Sequence, residues 1–142
     1  MSNTIIQRNE WLIQQYFEEV WNKGNIDLLD AIIAPGYINH SASVENPEPG
    51  PAGLKPIIIA MQRAFPDLHY AIKDLIITPD RIVAKVQMTG THAGDFFGIA
   101  PTNRKINVSQ INIEYVTGGQ ISEHWRLTDE LSMLKQLELL KV

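Results

Sequence analysis

Ionisable side chains are set among apolar residues near the end of this chain. Between positions 121 and 129, Glu123, His124 and Asp129 alternate with large apolar side chains. Placing a carboxylate on apolar surface costs free energy, and proteins that do so often use the group for proton transfer. The pattern therefore indicates acid/base chemistry in this segment.

Asp129 lies where a last strand is predicted to pass into a terminal helix. Aspartate is favoured as a helix N-cap, where it contributes about 1 kcal/mol. The same position could present a base to a carbon acid, which requires a pKa near the working pH. Burial would raise the pKa of Asp129, whereas a cap or a nearby cation would lower it. The residue pattern leaves capping and catalysis both open.

Glu123 has two possible environments. If its strand face is interior, the carboxylate needs a partner, and the candidates are His40 and His92. If that face meets water, Glu123 forms a surface ion pair. His124 has the opposite strand parity from Trp125, so its side chain is predicted to face solvent or a dimer interface.

The two candidate histidines also have structural alternatives. His92 follows an apolar strand face, where it could be a pocket residue or a hydrogen-bonded core residue. His40 stands beside Asn39 just before a long loop, where either residue could hold a substrate carbonyl or simply complete a turn. Phe96 and Phe97 lie in a glycine-flanked loop. One of these rings is predicted to close over a ligand while the other anchors the loop.

Composition narrows the class of protein. The 142 residues, of which 44% are hydrophobic, are predicted to form a single domain over residues 1–142. The formal charge of −4 and the lack of a basic cluster argue against a nucleic-acid partner. There are no cysteines, which excludes disulfides and thiolate chemistry. No apolar run approaches the ~20 residues needed to cross a bilayer, and a cytoplasmic location without a membrane partner is expected.

Several familiar site motifs are missing from the sequence. No HExxH pair or close cluster of histidines and acids suggests a metal site. No GxSxG segment provides a nucleophilic serine, and no GxGxxG loop could hold a phosphate. A metal site is therefore not expected.

Apolar periodicity places the elements that must position these residues. A 3.6-residue period predicts helices over about 5–22, 26–34 and 54–65, with a proline-rich loop at 41–53 between the second and third. A period of two then predicts strands over 68–78, 81–92 and 104–117, the first two joined by a turn at Pro79–Asp80. In the third strand the apolar phase changes, which predicts a bulge near Ser109–Gln110.

This order of elements predicts an α+β fold. Three N-terminal helices and a short C-terminal helix would pack against a curved antiparallel sheet, forming a cone-shaped domain with a pocket between the layers.

Four stretches, in this order and spacing, resemble the SnoaL-like polyketide cyclase (ester cyclase) family of the nuclear-transport-factor-2-like superfamily. They are Tyr37–His40, Phe65–Tyr70, Thr89–Arg104 and the segment from Glu123 to Leu137. The resemblance implies a cone-shaped homodimer and a cofactor-free aldol ring closure. It also implies that Asp129 is the acid/base. The chain departs from the family pattern at Asn103 and Glu138, where glycine is common, and this weakens inference about the substrate more than inference about the fold.

The leading hypothesis is a cofactor-independent cyclase or isomerase acting on an apolar, carbonyl-bearing small molecule. Asp129, His92 and His40 are its predicted catalytic residues. The predicted substrate contacts are Asn39, Glu123, Trp125, Phe96 and Phe97. Two alternatives remain open: a non-catalytic protein that binds a small ligand in the same pocket, and an epoxide-type hydrolase that uses Asp129 and Glu123 around one water.

Overall fold

A computed structural model of the chain describes residues 2–45 and 47–141. The first helix, α1 (Ser2–Gln14), continues as a π-helical segment (Gln15–Trp21), and a short 3₁₀ turn (Ile26–Leu28) leads into α2. The remaining elements are α2 (Leu29–Ile32), β1 (Ile33–Asn39), α3 (Pro51–Ala64), β2 (His69–Ile77), β3 (Arg81–Thr91), β4 (Lys105–Thr117), β5 (Gln120–Thr128) and α4 (Glu130–Gln136). This succession confirms the predicted α+β class.

The strands form one open, curved sheet in the order β1-β5-β4-β3-β2. Neighbouring strands are antiparallel except at one edge, where β1 runs parallel to β5. The predicted antiparallel sheet is therefore present in β2 to β5, and β1 adds a parallel strand at one edge. The second predicted helix is also shorter than expected, because the chain is already extended at Ile33 and enters the sheet there.

The hydrophobic core lies between the helices and the inner face of the sheet. The helical side contributes Leu12, Ile13, Phe17, Val20, Leu54 and Ile58, and β3 contributes Ile82, Ala84, Val86 and Met88. Gln136 joins α4 to the sheet, since its side-chain amide bonds the backbone N–H and carbonyl of Asn107 at 2.7 and 3.1 Å. None of the described helices is long and apolar enough to span a membrane.

Strand β4 keeps one face buried along its whole length. Its register with β3 runs without interruption from Arg81–Tyr115 to Thr91–Lys105. The bulge predicted at Ser109–Gln110 was therefore wrong. The inward side chains instead change character along the strand, from apolar to polar and back: Ile106, Val108, Gln110, Asn112, Glu114 and Val116.

Strand β5 contains a bulge that decides which of its side chains face inward. Val116 is opposite Ile121, but the next residue of β4, Tyr115, is opposite Glu123, so Ser122 is an extra residue. Such a bulge moves the following side chains to the other face of the strand. As a result Ile121 and His124 are both buried although their positions differ in parity.

Residues 47–50 pack tightly against the start of α3. A Cβ added at Gly53 would lie 1.7 Å from the carbonyl oxygen of Glu48, so Gly53→Ala must displace backbone. We expect this change to lower the free energy of unfolding by about 1–3 kcal/mol, measured by chemical denaturation. Gly36→Ala is the control, because nothing lies within 4 Å of its added Cβ. Equal stability of the two variants would contradict this tight packing.

Candidate active site

A cavity of about 360 Å³ opens between the sheet and the helices. Its volume lies in the lower part of the range of about 300–1,000 Å³ typical of small-molecule sites. Its apolar lining comes from Trp21, Ile57, Met61, Met88, Phe96, Phe97, Ile99, Met133 and Leu134. Polar groups reach it from Ser43, Tyr70, Gln110, Arg126, Thr128 and Glu130.

Three successive cross-strand pairs on the inner face of β4 and β5 are polar. We call them the polar ladder, and its rungs are Gln110–Thr128, Asn112–Arg126 and Glu114–His124. The first two rungs are connected: Asn112 Nδ2 donates to Gln110 Oε1 at 3.0 Å, and Gln110 Nε2 donates to Thr128 Oγ1 at 2.9 Å. Burying this many polar groups is costly unless they are paired or used, which marks the ladder as the candidate site.

The third rung is a buried carboxylate–imidazole pair. Glu114 Oε1 lies 2.5 Å from His124 Nδ1, and their side chains are 1% and 2% exposed. Burial raises the pKa of Glu114 above its ordinary value, although His124 and Arg126 oppose this shift. Such a pair can hold and release a proton. The prediction that His124 faces solvent or an interface was wrong, because the Ser122 bulge turns it inward.

Three buried tyrosines surround this polar region. Desolvation raises the pKa of Tyr70 to about 12 and the pKa values of Tyr16 and Tyr37 further above their ordinary range. All three phenols therefore stay protonated at neutral pH and can donate hydrogen bonds. The hydroxyl of Tyr37 has no hydrogen-bond partner among the described residues.

Arg126 connects the ladder to the loop after β1. Its Nη2 donates to the carbonyl oxygen of Ser41 at 2.7 Å and lies 3.4 Å from Ser43 Oγ. Its backbone N–H donates to Ser41 Oγ at 2.8 Å. These contacts place the guanidinium in the cavity wall and hold the loop beside it.

Asp129 does not face the cavity, although its neighbours Thr128 and Glu130 do. Its exposed carboxylate caps α4, accepting hydrogen bonds from the Ser132 backbone N–H at 3.1 Å and the Ser132 hydroxyl at 2.7 Å. These two bonds lower the pKa of Asp129. Asp129 therefore lies where a helix N-cap is expected, and this position gives no support to an acid/base role.

Asp129→Ala should therefore lower thermal stability without lowering turnover. Since the pKa of Asp129 is lowered by folding, its contribution is present above the unfolded-state pKa and is lost as the pH falls through the folded-state pKa. Thermal midpoints of wild type and variant should differ at neutral pH and converge in acid. Ser132→Ala removes the hydroxyl that donates to Asp129 but keeps the backbone N–H donor. It should therefore show a smaller loss of thermal stability at neutral pH. A large loss of turnover in a folded Asp129→Ala protein would restore the catalytic assignment.

His40, Glu123 and Trp125 meet on the outer side of the sheet. His40 Nε2 lies 2.8 Å from Glu123 Oε1, and its ring stacks on Trp125 with centroids 4.1 Å apart. Glu123 and Trp125 are opposite Tyr115 and Ile113, whose side chains also point outward. Glu123 therefore follows the surface ion-pair alternative, with His40 as its partner, and none of these three residues lines the cavity.

His92 and Asn39 also lie outside the cavity lining. His92 is fully buried, with Nδ1 3.0 Å from Thr102 Oγ1 and its ring beside Phe65, while its Nε2 has no partner among the described residues. Asn39 Oδ1 accepts a hydrogen bond from the Ser41 backbone N–H at 2.9 Å. His92 therefore has the environment of a core residue and not of a pocket residue. Asn39 completes a turn and does not face a substrate.

Phe96 and Phe97 both contribute to the cavity wall. Phe96 packs edge-on against Phe65, with ring centroids 5.4 Å apart, and so anchors the loop. Phe97 is 43% exposed, and its backbone adopts a left-handed conformation with φ of 46°. Its ring therefore lies at the rim, free to contact a ligand.

Sequence reasoning missed Gln110, Asn112, Glu114 and Arg126 as site residues. The signal for the first three was the regular appearance of polar side chains at every second position of β4, which the apolar neighbours Ile111 and Ile113 obscured; Arg126 lies in β5 and had no such signal. Within residues 2–45 and 47–141, no group of three histidine or acidic side chains is arranged to hold a metal ion.

Known proteins share both the sequence pattern and the fold. The model of the SnoaL-like polyketide cyclase family matches residues 12–137. Aklanonic acid methyl ester cyclase DnrD of Streptomyces peucetius is 27% identical over 84% of this chain and 83% of its own length. Nogalonic acid methyl ester cyclase of Streptomyces nogalater is 24% identical over 82% of this chain and 88% of its own.

A solved structure agrees with these relatives. TsrD from Streptomyces laurentii superposes with a TM-score of 0.85 at 25% identity, covering 94% of this chain and 97% of that one. The family match extends over most of the chain and includes every strand and the whole polar ladder. This chain belongs to the SnoaL-like polyketide cyclase family.

Proposed function

We propose that this protein is a cofactor-independent acid/base enzyme of the polyketide cyclase type. Its substrate would be a mostly apolar, carbonyl-bearing small molecule that undergoes aldol ring closure or isomerisation. The observation that carries the proposal is the polar ladder: Gln110, Arg126 and Thr128 line an otherwise apolar cavity, and the ladder continues behind this lining to the buried Glu114–His124 pair.

The ladder offers the two functions that enolate chemistry needs. Donors must stabilise the oxygen on which negative charge develops, where each well-placed hydrogen bond is worth about 3–4 kcal/mol. Tyr70 and Gln110 line the cavity and supply such donors. A base must also take the proton from carbon, and Glu114 is the sole buried carboxylate among the described residues.

The proposed reaction conserves its protons. A substrate held at Gln110 and Arg126, which line the cavity, would direct its acidic carbon toward the Glu114–His124 pair, which takes the proton as the C–H bond breaks. The enolate carbon then attacks a second carbonyl of the same molecule, forming the new C–C bond. The resulting alkoxide regains the proton from the pair, so no cofactor or external oxidant is required.

The test measures proton transfer at carbon directly. The aromatic methyl ester for which DnrD is named, and a simpler aromatic β-keto ester, would be incubated with the protein in D₂O and followed by NMR. We expect deuterium to enter the carbon between the two carbonyls faster than in buffer. Saturable binding without exchange or ring closure would instead establish the non-catalytic alternative.

The epoxide-type hydrolase has less support. It would need Asp129 and Glu123 around one water, but Asp129 caps α4 while Glu123 pairs with His40 on the outer side of the sheet. The two carboxylates therefore do not share a cavity.

We also propose that the protein is a homodimer built through the outer face of β4 and β5. There Ile111 pairs with Leu127, and Ile113 pairs with Trp125. These four side chains are 36–80% exposed, and we call them the outer apolar patch. A contiguous apolar patch exposed on a sheet face is typical of a protein–protein interface. A second copy is the natural occupant, since a two-fold axis pairs a patch with itself.

A further inference from the structure

Arg126 places a positive charge in the cavity wall without a carboxylate beside it. Among the described residues, no acidic group lies within the 4.0 Å of an ion pair with Arg126. Its contacts with Ser41 and Ser43 use Nη2 alone. A guanidinium carries five N–H donors, so those on Nε and Nη1 remain for a ligand.

No nearby acid in the described part of the chain pairs directly with this charge. The Glu114 carboxylate is bound to His124 and forms no ion pair with Arg126. Glu130 contributes to the cavity lining but is itself exposed to solvent. Burial raises the pKa values of Tyr16, Tyr70 and Glu114, and the Arg126 guanidinium opposes each of these shifts.

We propose that the ligand of this cavity carries a carboxylate, or an equally planar anionic oxygen pair, that binds Arg126 while its ring system occupies the apolar wall. The inference rests on the proposed function, because it names the substrate class of the same site. A planar guanidinium matches a carboxylate with two parallel hydrogen bonds, a geometry that a neutral ester cannot reproduce. This chain would therefore prefer a free acid, whereas the cyclases to which it is similar are named for methyl esters.

A matched pair of inert ligands tests the inference. 2-Naphthoate and methyl 2-naphthoate share one bicyclic ring and differ in charge, and neither has an acidic carbon that the enzyme could use. Isothermal titration of the full chain should show the carboxylate binding about tenfold more tightly or better, as expected for a charge-assisted contact. Arg126→Met should remove this preference while retaining affinity for the ester.

Two further variants make the result specific. Arg126→Lys keeps the charge and should retain part of the preference. Lys85→Met removes a cation from the outer face of β3 and should retain all of it. Circular dichroism and thermal melting confirm that each variant is folded.

The inference is overturned if wild type binds both ligands equally, or if folded Arg126→Met keeps the preference. It is also overturned if Arg126→Met and Arg126→Lys lose both ligands alike, since Arg126 would then only hold the loop. These outcomes are independent of turnover. Exchange at a carbon acid without a carboxylate preference would leave the proposed function standing and remove this inference alone.

Discussion

Glu114→Gln should slow deuterium exchange at the carbon acid by about 10²–10⁴-fold, the usual contribution of a positioned general base. Glutamine has almost the same shape and can still bond His124, but it cannot accept the proton. Because Glu114 is the sole buried carboxylate of the ladder, no neighbouring acid can replace it. The rate would be measured by NMR in D₂O with the β-keto ester.

The matched control is Asp129→Asn, which removes a carboxylate of the same charge from the surface cap of α4. It should retain the wild-type exchange rate. If Asp129→Asn loses exchange and Glu114→Gln keeps it, the base has been assigned to the wrong residue.

The pH dependence of exchange should report the same carboxylate. Burial raises the pKa of Glu114 above the ordinary value of 4.5, so the rate should rise through an apparent pKa above 4.5 and this limb should be missing from Glu114→Gln. The effect of pH on stability through Glu114 is opposite in sign to its effect on the exchange rate. A raised folded-state pKa means that the contribution of Glu114 is present below its unfolded-state pKa and is lost as the pH rises through the folded-state value.

Leu127→Glu should convert the dimer to monomers. Leu127 is 80% exposed and lies in the outer apolar patch beside Ile111. A two-fold axis brings the same patch of both copies together, so one substitution buries two like charges at the interface, each without a partner. Light scattering after size exclusion should change from twice the chain mass of 16.0 kDa to that of one chain.

Ile59→Glu is the control for this change. Ile59 is exposed on α3, in the helical layer away from the patch, and its substitution should leave the dimer intact. A wild-type protein that is monomeric at all concentrations, or a Leu127→Glu protein that remains dimeric, would contradict the proposed interface.

Much of the fold could be predicted from periodicity because most helices and strands bury a continuous apolar face. The inner face of β3, from Ile82 to Met88, is such a case. Strand β4 is different, since its buried face is polar at Gln110, Asn112 and Glu114 while Ile111 and Ile113 point outward. A pattern rule that places apolar residues inside therefore assigned this half of the strand to the wrong face and introduced a bulge.

The site was harder to predict than the fold for the same reason. Ser122 adds one residue to β5, and a single extra residue reverses which side chains face inward. Nothing in the residue types around Ser122 marks the bulge. Trp125 was therefore predicted to contact the substrate, His124 was predicted to face outward, and the environment of Glu123 stayed open. Asp129 shows a second limit, because a helix cap and an acid/base residue occupy the same place in the chain and the environment alone separates them.

Ligands should bind on the inner face of the sheet and not on its apolar outer face. Trp21 lines the cavity, whereas Trp125 lies in the outer apolar patch, and each indole N–H gives its own resonance. Titration of ¹⁵N-labelled protein with 2-naphthoate should shift the Trp21 indole signal and the side-chain amide signals of Gln110 and Asn112, leaving the Trp125 indole unchanged. Shifts confined to Trp125, or to the Asp129–Ser132 cap, would contradict the account.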